Sequence, residues 1–314
     1  MKWSPELDLE TLPVLPDIGP AAEAASLSWV ADYCAYYQLD FEDHYAGLKH
    51  YVGAFDSAGE RIAMQLFVPE GARSTAYVYH GYYDHVGLFN NVIHYFLKHG
   101  YAVVAYDMPG HGLSTGERAA IDDFMRYRQV LSDALAVVAD FNLPARKVAL
   151  AQSTGCAILM SHLLSGGDKT FERVVLMAPL LRPCGWWWGK SAHTLLHRYI
   201  SSLPRKFADN SDDQEFLEFL RDRDPLQARS LPMSWVGALK KWQKWFLKQA
   251  PVSSSVLILQ GDADETVAWR YNIQRIEKKF PNAKTIFIPG ARHHLVKEGE
   301  QYRHILWQAC DDYL

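Results

Sequence analysis

The sequence predicts an α/β protein with a mostly parallel sheet of eight strands and helices on both faces. Three observations support this prediction. The first is a β-hairpin followed by six short apolar segments of strand length. The second is that segments with helical spacing of apolar residues lie between these strands. Strands that alternate with helices form parallel sheets, and near-continuous apolar strands indicate a sheet covered on both faces. The third observation is a break in this alternation between about 182 and 252.

The elements can be assigned in chain order. Residues 1–20 are rich in proline and are expected to be extended, and residues 21–39 carry apolar side chains at helical spacing. A hairpin is expected next, with strands at 50–55 and 61–68 around a turn at 56–59. Further strands are expected at 75–80, 101–107, 147–151, 173–178, 255–260 and 284–288, and helices at 88–99, 121–142, 155–165, 268–280 and 299–313.

The segment 182–252 is expected to form an inserted helical cap, because it shows no convincing strand and contains six of the ten tryptophans. The chain is therefore divided into an N-terminal extension with a helix (1–45), an α/β core (46–181 and 253–314) and this cap. The tryptophans of the cap are Trp186, Trp187, Trp188, Trp235, Trp242 and Trp245.

The composition limits the classes of function. The 314 residues are 49% hydrophobic and 22% charged, which is ordinary for a folded protein with a large core. A formal net charge of −4 gives no general attraction to nucleic acid, so no nucleic-acid partner is expected. The four cysteines are widely spaced, the N-terminus lacks an uninterrupted apolar stretch, and no segment reaches the roughly 18 apolar residues of a membrane span. We therefore expect reduced thiols and a cytoplasmic location.

Ser153 follows the apolar segment 147–151 and opens a run of small residues with helical character. A serine on a sharp turn between a strand and a helix exposes its hydroxyl for attack on a carbonyl carbon. The local pattern is Ala151-x-Ser153-x-Gly155, which differs from the usual Gly-x-Ser-x-Gly in its first residue. A serine at such a junction is more often a helix cap, so its interpretation as a nucleophile depends on other residues.

An acid and a base follow Ser153 in the order that this arrangement requires. Asp264 lies in the loop after the strand at 255–260, and His293 lies just after the last strand. All three residues lie beyond the carboxyl ends of strands, where parallel α/β sheets place their sites. We therefore expect Ser153 as the nucleophile, His293 as the base and Asp264 as the carboxylate that orients the base.

Neighbouring residues leave alternatives open. Asp262 is the alternative acid, or it only braces the turn, and His294 is the alternative base. Adjacent histidines could indicate a metal, but no other His or Cys has a suitable spacing, so no metal and no cofactor are expected. Cys156 lies close after Ser153 and is expected to be a small packing residue.

The tetrahedral oxyanion of acyl transfer requires two N–H donors. One is expected to be the backbone N–H of Thr154, at the positive end of the helix that follows the serine. The other is expected to be the backbone N–H of Tyr82, in the loop after the strand at 75–80. Gly81 would allow this loop to approach the substrate closely.

Together these segments resemble the α/β-hydrolases of the lysophospholipase and monoacylglycerol lipase branch, which is serine aminopeptidase S33-like. The resemblance spans roughly 75–300. It implies an α/β-hydrolase fold, the site roles given above, and a mobile lid between the sixth and seventh strands. The matching segments are HGYYDH at 80–85, YDMPGHGLS at 106–114, the turn at Ser153, GDAD at 261–264 and GARH at 290–293.

The turn at the serine departs from the pattern of the family. Ala151 and Gln152 replace the usual glycine and histidine before the serine, and Cys156 replaces the common second glycine after it. The additional methyl group of Ala151 is small enough for the turn and is expected to tighten it.

The cap is expected to contribute to the substrate pocket. Three consecutive tryptophans cannot all face one side of a helix, so at least one is expected to be exposed or to line the pocket. Between Arg182 and Lys248 there are 12 Lys or Arg and 7 Asp or Glu, a balance of +5 that leaves −9 for the rest of the chain. The pocket candidates are Tyr83, Trp186, Trp187, Trp188 and Trp235.

The segment 240–248 interleaves lysines with apolar aromatic side chains. This pattern suits a helix that lies on anionic lipid, or a cap that attracts an anionic head group. A solvated helix face with buried tryptophans remains the alternative. We therefore expect that any peripheral contact with the inner surface of the membrane is made by the cap.

The sequence predicts a serine carboxylic-ester hydrolase that acts through a Ser-His-Asp triad and an acyl-enzyme. The branch that the chain resembles implies a small-molecule substrate of the lipid ester class, a lysophospholipid or a monoacylglycerol. Two alternatives remain. One is an acyl thioesterase or small-ester carboxylesterase with the same triad, and the other is a non-catalytic ligand-binding member of the fold. The oligomeric state is left open.

Overall fold

The computed structural model describes residues 9–16, 23, 27–186 and 199–314. Its main feature is an eight-stranded sheet in the order β1-β2-β4-β3-β5-β6-β9-β10. A separate pair, β7 and β8, lies in the cap. The strands are β1 (Lys49–Ser57), β2 (Glu60–Val68), β3 (Ser74–Tyr79), β4 (Tyr101–Tyr106), β5 (Lys147–Gln152), β6 (Arg173–Met177), β7 (Ser202–Pro204), β8 (Ser230–Pro232), β9 (Val256–Gly261) and β10 (Lys284–Ile288).

The pairing of the strands confirms the predicted fold class. β2 pairs antiparallel with β1 and with β4, and every other neighbouring pair in the large sheet is parallel. In the centre, Tyr79 pairs with Ala151 and Gln152 pairs with Met177. The carboxyl ends of β3, β5 and β6 therefore meet at one edge of the sheet, and the loops that follow these strands converge there.

Helices cover both faces of the sheet. Residues of α3, α4, α6 and α7 join one apolar cluster with one set of strand side chains. Residues of α1, α2, α5 and α8 join the cluster on the opposite face. The helices are α1 (Ser28–Tyr37), α2 (Asn90–Lys98), α3 (Phe124–Ala139), α4 (Thr154–His162), α5 (Gln214–Glu218), α6 (Met233–Lys248), α7 (Trp269–Glu277) and α8 (Glu300–Asp311).

Several helices are shorter than the sequence predicts. The helix predicted at 121–142 begins at Phe124, because the side chain of Asp123 caps it by accepting a hydrogen bond of 2.9 Å from the N–H of Met125. The helix predicted at 21–39 is described from Ser28 onwards. Apolar spacing identifies these helices but does not mark their ends, which depend on capping contacts.

The cap contains two short strands, so the prediction that 182–252 lacks strands was wrong. β7 and β8 pair antiparallel, with Ser202 opposite Pro232 and Pro204 opposite Ser230. Each strand has only three residues and ends in proline. Three residues are too few for an alternating pattern to appear. The division of the chain into extension, core and cap stays a prediction.

Candidate active site

Ser153 occupies the turn between β5 and α4. Its φ of 52° and ψ of −110° lie in a strained region for a residue with a side chain. The turn is held by the Ser153 N–H, which donates to the Met177 carbonyl at 2.9 Å, and by the Ser153 carbonyl, which accepts from Cys156 and Leu180. The strained turn directs the hydroxyl toward the loops at the carboxyl edge of the sheet.

Gly155 allows this turn to pack against β3. A Cβ atom at this position would lie 2.5 Å from the Tyr79 carbonyl oxygen and 2.6 Å from that of His80. Ala151, in contrast, is accommodated with its side chain fully buried. The thiol of Cys156 donates to the Ala151 carbonyl at 3.1 Å, and burial raises the pKa of this thiol. Cys156 is therefore a protonated packing residue beside the turn.

Ser153, His293 and Asp264 form a continuous chain of hydrogen bonds. The Ser153 hydroxyl lies 3.0 Å from His293 Nε2, and His293 Nδ1 lies 2.7 Å from Asp264 Oδ2. Asp264 Oδ1 also accepts from the N–H groups of Thr266 and Val267. These additional bonds fix the carboxylate so that it holds the Nδ1–H tautomer and leaves Nε2 free to accept the serine proton.

Burial and charge act in opposite directions on this pair. Burial disfavours the charged imidazolium of His293, but the Asp264 carboxylate outweighs this and raises the pKa of His293. Burial also disfavours the charged Asp264 carboxylate, but His293 and the N–H donors lower the pKa of Asp264. The pair therefore favours an ionised Asp264 and a histidine that readily accepts a proton.

The alternative acid and base have different contacts. Asp262 is exposed, and its carboxylate accepts from the Gly290 N–H at 2.7 Å, so it braces the loop after β10. His294 Nε2 lies 3.1 Å from Asp84 Oδ1 and does not contact Ser153. Among the residues that the structure describes, no group of three or more His, Cys, Asp or Glu side chains is placed to hold a metal.

The loop after β3 lies beside the serine. A Cβ atom at Gly81 would lie 3.5 Å from Ser153 Cβ and 2.5 Å from Asp84 Oδ2. Within the described part of the chain, neither the Tyr82 N–H nor the Thr154 N–H donates a hydrogen bond. Both groups are therefore available to an oxyanion.

Tyr82 is held firmly in this position. Its ring stacks on Trp235 with centroids 3.9 Å apart, and its hydroxyl donates to the Ala119 carbonyl at 2.7 Å. His80 supports the same loop, since its Nε2 accepts from the Met108 N–H and its Nδ1–H donates to the Gly81 carbonyl. Burial lowers the pKa of His80 to about 3, so this histidine is neutral.

A cavity of about 590 Å³ opens over the serine between the core and the cap. Tyr83, Trp186 and Trp235 are three of the predicted pocket residues, and all of them line it. Trp187 and Trp188 lie outside the described residues. The lining also includes aliphatic side chains, among them Leu180, Leu203, Leu217, Leu220, Leu231 and Val236. The cavity can therefore accommodate an apolar chain next to the hydroxyl of Ser153.

Comparison with known proteins identifies the family. The family model described as serine aminopeptidase, S33, matches residues 70–300. The chain belongs to this family. The resemblance to α/β-hydrolases that the sequence indicated is thereby confirmed, and the serine turn, the loop after β3 and the loops after β9 and β10 all lie within the S33 match.

Individual relatives of this S33 member are lipases and esterases. A monoacylglycerol lipase of Mycolicibacterium smegmatis is 27% identical over 262 residues, which cover 77% of this chain and 89% of the relative. A caffeoylshikimate esterase of Arabidopsis thaliana is 24% identical over 287 residues, which cover 82% of this chain and 83% of that protein.

Solved structures show the same fold. The monoacylglycerol lipase of Paleococcus ferrophilus has a TM-score of 0.68 at 18% identity and covers 80% of this chain and 97% of its own. A soluble variant of monoglyceride lipase from Saccharomyces cerevisiae, in complex with a substrate analogue, has a TM-score of 0.70 at 14% identity and covers 82% and 92%. At these identities the likeness establishes the fold of the S33 chain as that of an α/β-hydrolase.

The structure also brings polar residues to the site that the sequence does not single out. Gln152 donates from Nε2 to the His293 carbonyl at 2.7 Å. The backbone carbonyl of Asn210, in the cap, accepts from the N–H groups of both His293 and His294. Arg205 of the cap lines the cavity. In the sequence, Gln152 stands out only as a departure from the family pattern before the serine, Asn210 carries no motif, and only the excess positive charge of the cap points toward Arg205.

The cap helix α6 packs its apolar side inward. Trp242 is buried, donates from its indole N–H to Ser161 Oγ at 2.6 Å and stacks on Phe124, and Phe246 is fully buried. Lys241, Lys244 and Lys248 are exposed. The interleaved pattern at 240–248 is therefore satisfied by packing against the core of this S33 member, with its lysines toward solvent. Among the described helices, none is long and apolar enough to cross a membrane.

Proposed function

We propose that this α/β-hydrolase cleaves carboxylic esters of lipids with a single acyl chain, of the lysophospholipid or monoacylglycerol type. The observation that carries the proposal is the hydrogen-bonded series Ser153–His293–Asp264 at the floor of a largely apolar cavity. An acyl chain would be removed from water against the apolar part of this lining. The lipase and esterase relatives support the same class of reaction.

The reaction proceeds in two halves. Ser153 Oγ attacks the ester carbonyl carbon while His293 Nε2 takes the hydroxyl proton. The backbone N–H groups of Tyr82 and Thr154 stabilise the oxyanion. His293 then passes its proton to the departing alcohol, and the acyl group remains on Ser153. Asp264 keeps the imidazole oriented and stabilises its charged form throughout.

Water completes the cycle. A water molecule that replaces the alcohol gives a proton to His293 Nε2 and attacks the acyl carbonyl, and the second tetrahedral intermediate uses the same two N–H donors. The proton then returns to Ser153 Oγ as the carboxylic acid leaves. The residues present are sufficient for both halves of the reaction.

Labelling with a fluorophosphonate probe tests the proposal. Because the probe reacts with an activated serine, intact-mass measurement should show one adduct on the wild-type protein. It should show none on Ser153→Ala, and labelling of His293→Ala should be at least about 100-fold slower. Circular dichroism of each variant checks that it is folded. A folded wild-type protein without an adduct would contradict a functional triad.

Hydrolysis of matched substrates then tests the substrate class. An acylglycerol and an acyl thioester with the same chain length should be compared by kcat/KM. We expect the oxygen ester to be preferred, whereas a preference for the thioester would assign the triad to a thioesterase. Binding of both compounds without turnover, unchanged in Ser153→Ala, would instead indicate a non-catalytic member of the fold.

A further inference from the structure

Arg205 places a positive charge in the substrate cavity. It follows β7 in the cap, and its guanidinium lies over the Tyr83 ring, 4.0 Å from the centroid. It also lies 4.3 Å from the ring centroid of Phe207. Tyr83 is the residue next to Tyr82, and both line the cavity that contains Ser153. The guanidinium therefore lies in the same cavity as Ser153, and two aromatic rings contact it.

This charge has no close counter-ion in the described part of the protein. Arg205 donates from Nη1 to the Gln227 side-chain carbonyl and to the Ala228 backbone carbonyl, both of which are neutral. The residues that the structure describes contain no carboxylate within 4.0 Å of it, and residues 187–198 of the cap include no Asp or Glu at all. The arginines that do form such ion pairs are Arg126, Arg146, Arg221 and Arg223.

A buried carboxylate near Arg205 is engaged by other groups. Asp84 accepts from the Gly81 N–H and from His294, and His294, His80 and Arg205 lower the pKa of Asp84 to about 2 against the effect of burial. Burial disfavours the charged form of Arg205 and lowers its pKa, with Tyr83 and Asp84 acting in the opposite direction. An arginine remains charged under such conditions, so it bears a cost of partial desolvation.

A chain of hydrogen bonds fixes Arg205 to the core. Gln227 accepts from Arg205 and donates from Nε2 to Asp224 Oδ2 at 2.8 Å. Asp224 is buried and also bonds to the Tyr37 hydroxyl at 2.7 Å and to His85 Nε2 at 3.0 Å. A residue held in this way loses little conformational entropy when it binds a ligand.

The charges at the rim of the cavity have the same sign on balance. Lys206 and Arg221 line the cavity together with the acids Asp84 and Asp209, and Arg221 forms an ion pair with Asp222. Arg229 lies 5.1 Å from the Phe207 ring centroid, which leaves the balance of these side chains with Arg205 positive. An anion is therefore attracted toward the opening as well as toward Arg205.

We propose that Arg205 binds an anionic group of the substrate, so that the site prefers single-chain esters that carry a phosphate or a carboxylate over neutral ones. The proposal rests on the ester-hydrolase function proposed above. A bound anion would supply the counter-ion that Arg205 lacks, through charge-assisted hydrogen bonds to its free N–H groups. Arg205 is thus a residue that determines specificity, and it selects between the two lipid classes that the triad alone would accept equally.

Binding to a variant that cannot turn over substrate tests Arg205 directly. In a Ser153→Ala background, calorimetry should compare dodecyl phosphate, dodecanoate and the neutral ether 1-O-dodecylglycerol, each below its critical micelle concentration. We expect an anionic ligand to bind about 10- to 100-fold more tightly than the neutral one. Arg205→Met should remove this difference. Arg73→Met, at the amino end of β3 on the opposite edge of the sheet, should preserve it.

The two anions identify the chemical source of the negative charge. Tighter binding of dodecyl phosphate would assign the site to a phosphate head group, and tighter or equal binding of dodecanoate would assign it to a carboxylate. Equal affinity for all three ligands, or an anion preference that survives Arg205→Met, would overturn the proposal. Arg205→Lys keeps the positive charge but lacks the planar guanidinium, so it should retain part of the preference for anions. It replaces Arg205→Met in this test if the methionine variant fails to fold.

Turnover separates this proposal from the proposed function. An acylglycerol and an acylglycerol phosphate of the same chain length should differ in kcat/KM in favour of the phosphate, and Arg205→Met should reduce this ratio at least about tenfold. Hydrolysis of both esters at equal rates by the wild type would contradict only the role of Arg205. Absence of both hydrolysis and the fluorophosphonate adduct would contradict the ester-hydrolase function, while the binding experiment would still decide the role of Arg205.

Discussion

The core and the cap contribute to the site in different ways. In the core, Ser153, Asp264 and His293 lie just after three strands of one sheet, and the acid and the base are held by short-range contacts. In the cap, polar site residues such as Arg205 and Asn210 lie outside helices and strands, and the cap reaches the core through a few hydrogen bonds such as that between Asp224 and His85. We infer that the core provides the reaction geometry and the cap provides substrate preference.

Asp264→Asn should have the largest effect on the core side of this comparison. An amide in place of the carboxylate can no longer hold the Nδ1–H tautomer or stabilise the imidazolium, so kcat/KM should fall about 10³- to 10⁴-fold. Steady-state hydrolysis of a short-chain ester measures this. Asp262→Asn is the matched control, because Asp262 is exposed and its carboxylate accepts from the Gly290 N–H in the loop after β10. An equal loss in both variants would contradict the assignment of the acid.

The dependence of kcat/KM on pH tests the same pair. Only neutral His293 accepts the serine proton, so activity should be present above its pKa and be lost as the pH falls through it. Because Asp264 raises the pKa of His293, the acid limb of the wild type should lie above the usual histidine value of about 6.5. In Asp264→Asn the limb should move to lower pH. A limb that does not move would show that another group titrates.

Asp224→Ala should have the largest effect on the cap side. It removes the buried carboxylate that bonds to both His85 and Tyr37 and should lower the free energy of unfolding by about 3–5 kcal/mol. Urea denaturation followed by tryptophan fluorescence measures this. Asp222→Ala removes an exposed carboxylate two residues away and should cause no measurable change. Equal stability of the two variants would show that Asp224 does not anchor the cap.

Gln152→Ala tests a contact within the core that has no motif. The side chain is fully buried and donates to the His293 carbonyl, so its loss should loosen the base and lower kcat about tenfold. Gln249→Ala removes a similar bond to a backbone carbonyl at the end of α6 and should leave kcat within about twofold. An unchanged kcat in Gln152→Ala would show that other contacts suffice to hold His293.

Ala151→Gly should have the smallest effect. The methyl group is buried without distorting the turn, so its removal should change kcat/KM less than about threefold and should lower stability by about 0.5–1 kcal/mol. Ala149→Gly, two residues earlier on β5 and equally buried, should match it in stability. A large gain in activity for Ala151→Gly alone would show that the alanine restrains the serine.

The sequence predicted the sheet well because each of its strands is an apolar run bounded by turns. The identity of the site residues could be predicted for the same reason, since Ser153, Asp264 and His293 directly follow three such runs. Helix ends were less predictable, as at Phe124, where a side-chain cap decides the first turn. The catalytic roles of these residues stay predictions until they are measured.

The architecture of the cap could not be predicted to the same degree. β7 and β8 are too short to carry an alternating pattern, and Arg205, Asn210 and Gln227 are ordinary polar residues in the sequence. Their placement depends on contacts between residues far apart in the chain, such as the bond from Asn210 to the N–H of His293. Neither the spacing of residues nor their local propensities predict such contacts.

The exchange of two backbone amide protons of the core depends on the position of the cap, because both groups bond to the Asn210 carbonyl. The N–H groups of His293 and His294 both donate to it, at 3.1 and 2.8 Å. Any motion of the cap that moves Asn210 away from the core breaks both hydrogen bonds and exposes these two amide protons to solvent together. Their exchange with deuterium therefore follows how often the cap opens, and an inhibitor that holds the cap closed slows both by the same factor.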